Sequence, residues 1–303
     1  MVDFRPNELH SALFRLSAEP GPRPRASKAL IVVFAVALAF LSSCADLSEI
    51  TKFASSSQKV GDTYAAIAAE APRSCARANE FITRDNPVAK LDCDWYSGTN
   101  PPLLAVNKAL FDYIAGLGKL SSADTGKVGS GMDKLSDDLK KGDPNISAAN
   151  LSKATAAGGL VKALTEIWAS GYRQHKLADI IKRNNDAVKD VTDFLRDYAT
   201  DAYRQTLKDE RRYESSFCDI KRSPKNEPLA TYLLNKSCDA DDALIAQKLA
   251  AVQAYRDALK TIQAAHAKLA EETGEWNVNE LGKDFGSSAG DLAKAASTIH
   301  KAF

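Results

Sequence analysis

Apolar residues are distributed along this chain in two distinct ways. Residues 29–41 form an unbroken apolar run without a charge. After Cys44 the apolar positions recur every three or four residues instead, which is the period of an amphipathic helix. Ile50, Phe53, Val60, Tyr64 and Ile67 make one stripe and predict a helix over 46–71. Leu103, Val106, Leu110, Tyr113, Leu117 and Leu120 predict a second over 103–120. A short helix is expected over 132–140, and Ser147 is placed to cap the next one. From about Ala148 the three- and four-residue steps run on to Phe217 without a proline, which reads as one very long helix. Breaks at Gly158-Gly159 or Asn184-Asn185 are the alternatives. Ile245, Leu249, Val252, Tyr255, Leu259, Ile262, His266 and Leu269 mark a strong helix over 240–273, and a last helix covers 290–302. The breakers Asn86-Pro87, Ser97-Gly98 and Pro101-Pro102 predict a loop over 84–102. Residues 218–238 and 274–288 read as further loops, with a short helical turn at 229–236.

The two halves of this pattern echo each other. Cys75 and Cys93-Asp94 correspond to Cys218 and Cys238-Asp239, Tyr113 and Leu117 to Tyr255 and Leu259, and Leu151–Ala154 to Leu292–Ala295, all at offsets of 141 to 145 residues. The expected fold is therefore all-α. It is an elongated antiparallel helical bundle of two duplicated helix-loop-helix-loop-helix units, 44–170 and 171–303, joined by a long continuous helix. Folding of the same helices back into one bundle is the alternative. An Ala-, Leu- and Lys-rich chain with few β-branched runs favours helix.

The apolar run at 29–41 is too short for a comfortable transmembrane helix, which needs about 20 apolar residues. Arg23, Arg25 and Lys28 precede it, and the small residues Ser42 and Ser43 follow. That is the layout of a secretory signal peptide, here with a long leading region, and 1–43 is expected to be removed. Leu41-Ser42-Ser43-Cys44 resembles the lipobox of bacterial lipoproteins. The resemblance covers the leader alone. It implies cleavage before Cys44 and acylation of that cysteine, and several acyl chains hold a protein on a bilayer far more firmly than one. Ala45, where an aspartate would imply inner-membrane retention, points to the outer membrane, facing the periplasm.

Acylation also accounts for an odd count of five cysteines in an exported chain. With Cys44 modified, Cys75, Cys93, Cys218 and Cys238 remain. Pairing 75 with 93 and 218 with 238 closes two local loops, each contributing about 3 kcal/mol in the chain-entropy model. A zinc site is the rival reading, but the spacings are too wide for CxxC arms. Lysine plus arginine number 40 against 39 aspartate plus glutamate. Without residues 1–43 the balance is 35 to 36, so no field of one sign draws in nucleic acid.

Candidate chemistry is sparse. Past the leader the histidines are His175, His266 and His300. His266 lies on an apolar stripe and reads as a satisfied core residue. Asp239, Asp241 and Asp242 read as acidic residues at a helix start, where they offset the dipole. The glycine-rich stretch 125–131 lacks phosphate-loop spacing, and 208–212 reads as a solvated helix face. No catalytic residue, metal ligand or cofactor is assigned. Trp95 and Tyr96, on the loop pinned by Cys93, and Trp276 in the late loop are candidate partner contacts, or else plugs for the bundle end. The expected function is a non-enzymatic, lipid-anchored envelope protein: a periplasm-facing helical interaction or scaffolding module, attached to the membrane through acylated Cys44 and binding an envelope protein. A small-ligand-binding helical bundle is the alternative.

Overall fold

The computed structural model describes residues 48–82, 89–121, 155–160, 162–163, 174–221, 227–271 and 278–303. Cys44, Trp276, the stretch 125–131, the short helix at 132–140 and the boundary between 170 and 171 lie outside the described residues. Among those described there is helix and no strand. Seven α-helices follow one another: α1 (Ser48–Glu80), α2 (Trp95–Ser121), α3 (Gln174–Arg183), α4 (Asn185–Phe194), α5 (Thr200–Lys221), α6 (Pro228–Glu271) and α7 (Val278–Ala302). One π-helical turn, Leu195–Ala199, joins α4 to α5.

The helices form a single bundle, and the alternative in which they fold back on one another is the one observed. α1 packs on α2, α5 and α7, and α6 packs on α5 and α7, so elements of both sequence halves share one core. α1, the α3–α5 run and α7 point one way, and α2 and α6 return. The amphipathic stripes explain this packing. Tyr64 of α1 stacks on Tyr255 of α6, with ring centroids 5.2 Å apart, and Phe53 of α1 meets Phe285 of α7 edge-on. α1 and α2 approach closely because two glycines permit it. A Cβ at Gly61 would clash with Cγ and Cβ of Phe111, and one at Gly118 would collide with Ala54.

The long helix expected through 217 is interrupted. Residues 155–160, which contain Gly158 and Gly159, are helical, but Asn184 forms a one-residue turn with φ −102°. Its side-chain amide donates to the Ile180 carbonyl at 2.7 Å, competing with the helix ladder. Eleven residues on, the ladder slips again. The Thr200 N–H bonds Leu195 O, which leaves Arg196 O without its usual i+4 donor. The Thr200 hydroxyl (2.6 Å) and the Arg256 guanidinium of α6 take that carbonyl instead.

Four expected boundaries are corrected. α1 does not end at 71 but runs through Pro72 to Glu80. Proline cannot donate to the carbonyl four residues back; Asn100 of α2 does so in its place, with Nδ2 2.8 Å from Ala68 O. α2 starts at Trp95, so Pro101 and Pro102 lie inside a helix and not in a loop. α6 starts at Pro228, with proline at the first helical position where its missing N–H is harmless. The turn at 229–236 is thus part of α6, and Asp239, Asp241 and Asp242 lie well inside that helix, away from its N-terminus. Similarly, α7 begins at Val278, twelve residues before the expected start.

Candidate functional site

The chain-reversing ends of α1 and α5 lie at the same end of the bundle, and the residues of interest gather there. Cys75 bonds Cys93 and Cys218 bonds Cys238, with Cα atoms 5.7 and 6.2 Å apart. The first disulfide ties the last turns of α1 to the entry of α2, and the second ties the last turn of α5 to α6. The entry to α2 is fixed further by Asn79, whose amide donates to Leu91 O at 3.0 Å and accepts from Leu91 N–H at 2.8 Å.

Between the disulfides lies a buried ionic network that the sequence reading missed. Arg77 of α1 donates from Nε to Glu210 of α5 at 2.5 Å and from Nη2 to Glu70 at 2.7 Å. Lys248 of α6 donates to the same Glu70 oxygen at 2.5 Å, and the Ser74 hydroxyl donates to Glu210. Arg77 and Lys248 face the two carboxylates across three helices, and the exposed Arg73 stands 3.8 Å from Glu70 at the rim. Glu210 is 2% and Lys248 5% exposed, so each needs its partners to offset desolvation. Burial works to raise the Glu70 pKa, but the hydrogen bonds from Lys248 and Arg77 outweigh it and hold the carboxyl below its ordinary value. The network joins the two disulfide-closed hairpins, and breaking it at one member would leave an uncompensated charge in the core.

Tyr96 points inward. Its ring is buried, and its hydroxyl sits 2.5 Å from Thr206 Oγ1 of α5. As a contact residue for a partner Tyr96 is therefore corrected: it plugs the α2–α5 seam. Trp95 is half-buried and packs edge-on against Tyr96 and Tyr198. His266 is a core residue, as expected. It is 2% exposed; Tyr113 Oη lies 3.0 Å from Nε2 and Asn185 Oδ1 lies 3.2 Å from Nδ1. An amide oxygen only accepts, so Nδ1 carries the proton and Nε2 accepts from the tyrosine. Burial lowers the imidazole pKa to about 4. His300 is exposed on the last turn of α7. Within 208–212, Lys208, Arg211 and Arg212 are on the solvated face, as expected, but Glu210 is not.

A groove of about 680 Å³ opens beside the second disulfide, between α5 and α6. Lys208, Arg211, Arg212, Glu214, Asp239 and Asp242 line it together with the two cysteines. Arg211 and Asp242 pair across it at 2.7 Å. Glu214, Cys218 and Cys238 bring possible ligand atoms within 4.8 Å of one another. Two of those atoms are disulfide sulfurs, which offer no thiolate to a metal, so the pairing displaces the zinc reading.

α6 projects past this end. From Pro228 to Ser237 no residue is buried, and Leu229, Tyr232 and Leu233 are 68%, 62% and 56% exposed. Spacings of three and four place them on one face. Leu244, 41% exposed, continues that face, while Cys238, Ile245, Lys248 and Val252 form the buried side. Large apolar side chains grouped on one exposed face are expensive to leave in water. The sequence signal was present: Pro228 as a helix start, followed by leucines and tyrosine at helical spacing. No described helix is long and apolar enough to cross a membrane. Comparison with protein-family models, with characterised proteins and with solved structures found no match to the chain.

Proposed function

We propose that this chain is a lipid-anchored envelope protein whose helical bundle presents the exposed end of α6 to a protein partner. It acts as a non-enzymatic interaction module on the periplasmic face of the outer membrane. One observation carries the reading: the apolar face Leu229–Tyr232–Leu233 on a helix end braced by a disulfide. Its placement agrees with a tether at Cys44. α1 begins at Ser48, and its 33 residues rise about 50 Å at 1.5 Å each. The projecting end of α6 lies beyond the far end of α1, so an acylated Cys44 would leave it facing away from the bilayer. The test is a photoreactive phenylalanine analogue at position 232, irradiated in cells, with Gln253 on another exposed face of α6 as the control position. A discrete adduct from 232 and not from 253 is expected. Equal or absent labelling at both positions contradicts the reading.

The α5–α6 groove favours a second reading, a small-ligand-binding bundle. Paired cations and carboxylates lining 680 Å³ suit a polar ligand with charges of both signs. Thermal-shift screening against lipids and cell-wall fragments tests it. A ligand-dependent rise in midpoint, lost in Arg211→Ala, would support it; flat midpoints across the set would remove it.

A further inference from the structure

The disulfide between Cys218 and Cys238 holds the helix end that carries the apolar face, and we propose that it is a redox latch: reduced by a protein dithiol, it releases that end. This rests on the interaction reading above and names the regulation of the same surface. Residues 228–244 are all described, and among them only Cys238 is buried. The next core residue of α6 is Ile245, 2% exposed. The bond to Cys218 of α5 is therefore the buried attachment of the first turns of α6. Arg211 and Asp242 also span α5 and α6, but their side chains are 49% and 45% exposed, and such a pair contributes little. Without the crosslink this end is a short helical extension with no side chain but Cys238 in the core. A short helix without tertiary packing is marginal in water. Leu229, Tyr232 and Leu233 share one rigid face only while the end stays helical, and loss of that preorganisation lowers a partner's affinity.

The two disulfides have opposite neighbours. At Cys93 the Asn79 amide donates to Sγ at 3.3 Å, a contact that a disulfide sulfur accepts. At Cys218 the neighbour is an acceptor: Glu214 Oε1, one turn back on α5, lies 3.0 Å from Sγ, and Glu214 is 2% exposed. A disulfide sulfur carries no hydrogen, so that contact holds no hydrogen bond while the latch is closed. In the dithiol form the Cys218 S–H donates to the carboxylate. Leu91 O stands 3.7 Å from Cys93 Sγ, but it is neutral and already accepts from Asn79, so it offers less. A couple whose reduced form is stabilised is the more easily reduced. Both sulfurs of the latch line the groove of about 680 Å³ between α5 and α6, which admits a reductant. Cys93 is the more exposed sulfur, so the order concerns equilibrium and not rate. The exchange balances in two steps. A thiolate of the dithiol bonds to Cys238 Sγ, the S–S bond breaks, and its electron pair leaves on Cys218, which takes up a proton. The second thiol of the reductant then displaces Cys238 as a thiol and leaves as part of the reductant's own disulfide. Two electrons and two protons pass to the protein. The resting protein keeps both disulfides and presents the face; reduction withdraws it.

The test equilibrates the full mature protein in detergent with dithiothreitol buffers of graded redox ratio, traps thiols by alkylation and reads each disulfide by peptide mass. Cys218–Cys238 is expected to be half reduced at a ratio roughly tenfold less reducing than Cys75–Cys93 requires, the scale of one hydrogen bond. Glu214→Ala should remove most of that gap and leave Cys75–Cys93 unmoved. Glu214→Gln, whose neutral oxygen accepts more weakly, should shift the midpoint in the same direction by less, and it serves if alanine is not tolerated. Amide hydrogen exchange reads the release. With the latch reduced, or in Cys218→Ser/Cys238→Ser, residues 232–237 should exchange at least tenfold faster while 245–269 stay unchanged. A second disulfide as hard to reduce as the first, or a midpoint indifferent to Glu214→Ala, would overturn the assignment. Unchanged exchange at 232–237 would overturn the release. In cells the adduct from position 232 should weaken several-fold in the double serine variant. An undiminished adduct would overturn the regulation and leave the interaction reading standing. No adduct even with the disulfide intact would remove the interaction reading, while midpoint and exchange still decide the latch.

Discussion

Pro72 sits in the middle of α1, and the Asn100 side chain takes the carbonyl that the proline leaves without a donor. Replacing Asn100 by alanine removes that donor. Ala68 is 4% exposed, so its carbonyl has little access to water. An ordinary hydrogen bond contributes about 1 kcal/mol net, and a buried acceptor left without a partner costs about 1–3 kcal/mol. Asn100→Ala is therefore expected to destabilise the bundle by about 1–2 kcal/mol, a fall in Tm of roughly 2–4 °C per kcal/mol for a domain of this size. In a Pro72→Ala background the backbone N–H of residue 72 serves Ala68 itself. There the same substitution should cost less than about 0.5 kcal/mol, within the scatter of an ordinary surface change. The coupling of the two sites, about 1 kcal/mol, is read from a double-mutant cycle. Urea unfolding followed by helical circular dichroism gives all four values, with unchanged slopes as the check that one transition is compared. An equal loss in both backgrounds would refute the argument that Asn100 serves the proline-vacated carbonyl.

Further outcomes follow from other contacts. His266 is neutral in the fold, with a pKa lowered to about 4 against an ordinary 6.5. Its contribution is complete above pH 6.5 and is lost as pH falls toward 4, because the unfolded chain takes up the proton first. At 1.36 kcal/mol per pH unit this amounts to on the order of 3 kcal/mol, and His266→Gln should abolish that slope in unfolding measured from pH 7 to 4. Gly61→Ala drives a methyl into Phe111 and should cost about 1–3 kcal/mol from overpacking. Gly98→Ala meets open space and should be neutral or gain up to about 1 kcal/mol in urea midpoints. Lys248→Met removes the buried cation from Glu70 and should destabilise by about 3–5 kcal/mol, whereas removing the exposed Lys294–Asp291 pair should change stability by less than about 1 kcal/mol.

Much of the fold was legible in the sequence because the apolar stripes were. The stripes of α1, α2 and α6 name the residues that meet in the core, down to Tyr64, Tyr113 and Tyr255. Loop closure was enough to choose the disulfide pairing, and a lone histidine on an apolar stripe was enough to place His266 inside. Boundaries were lost where a distant residue supplied what the local chain lacked. Proline at 72 reads as a stop unless Asn100 is known to stand beside Ala68, and that fact belongs to tertiary structure. The ionic network was lost for a related reason. Glu210 stands in a run of charged residues, and only its burial against Arg77 and Ser74 separates it from its solvated neighbours. The exposed end of α6 was read only as a short turn at 229–236 inside a loop, because Pro224 and Pro228 break the 218–238 interval, although Leu229, Tyr232 and Leu233 already had helical spacing.

The proposed tether requires export, cleavage before Cys44 and acylation there, in a chain closed by two disulfides. Intact-mass analysis of the protein extracted from membranes tests all of this together. The expected species begins at Cys44, carries the added mass of fatty-acyl chains and has no free thiol among its other four cysteines. A species that retains residues 1–43, or that begins later with Cys44 unmodified and its remaining thiols free, would contradict it.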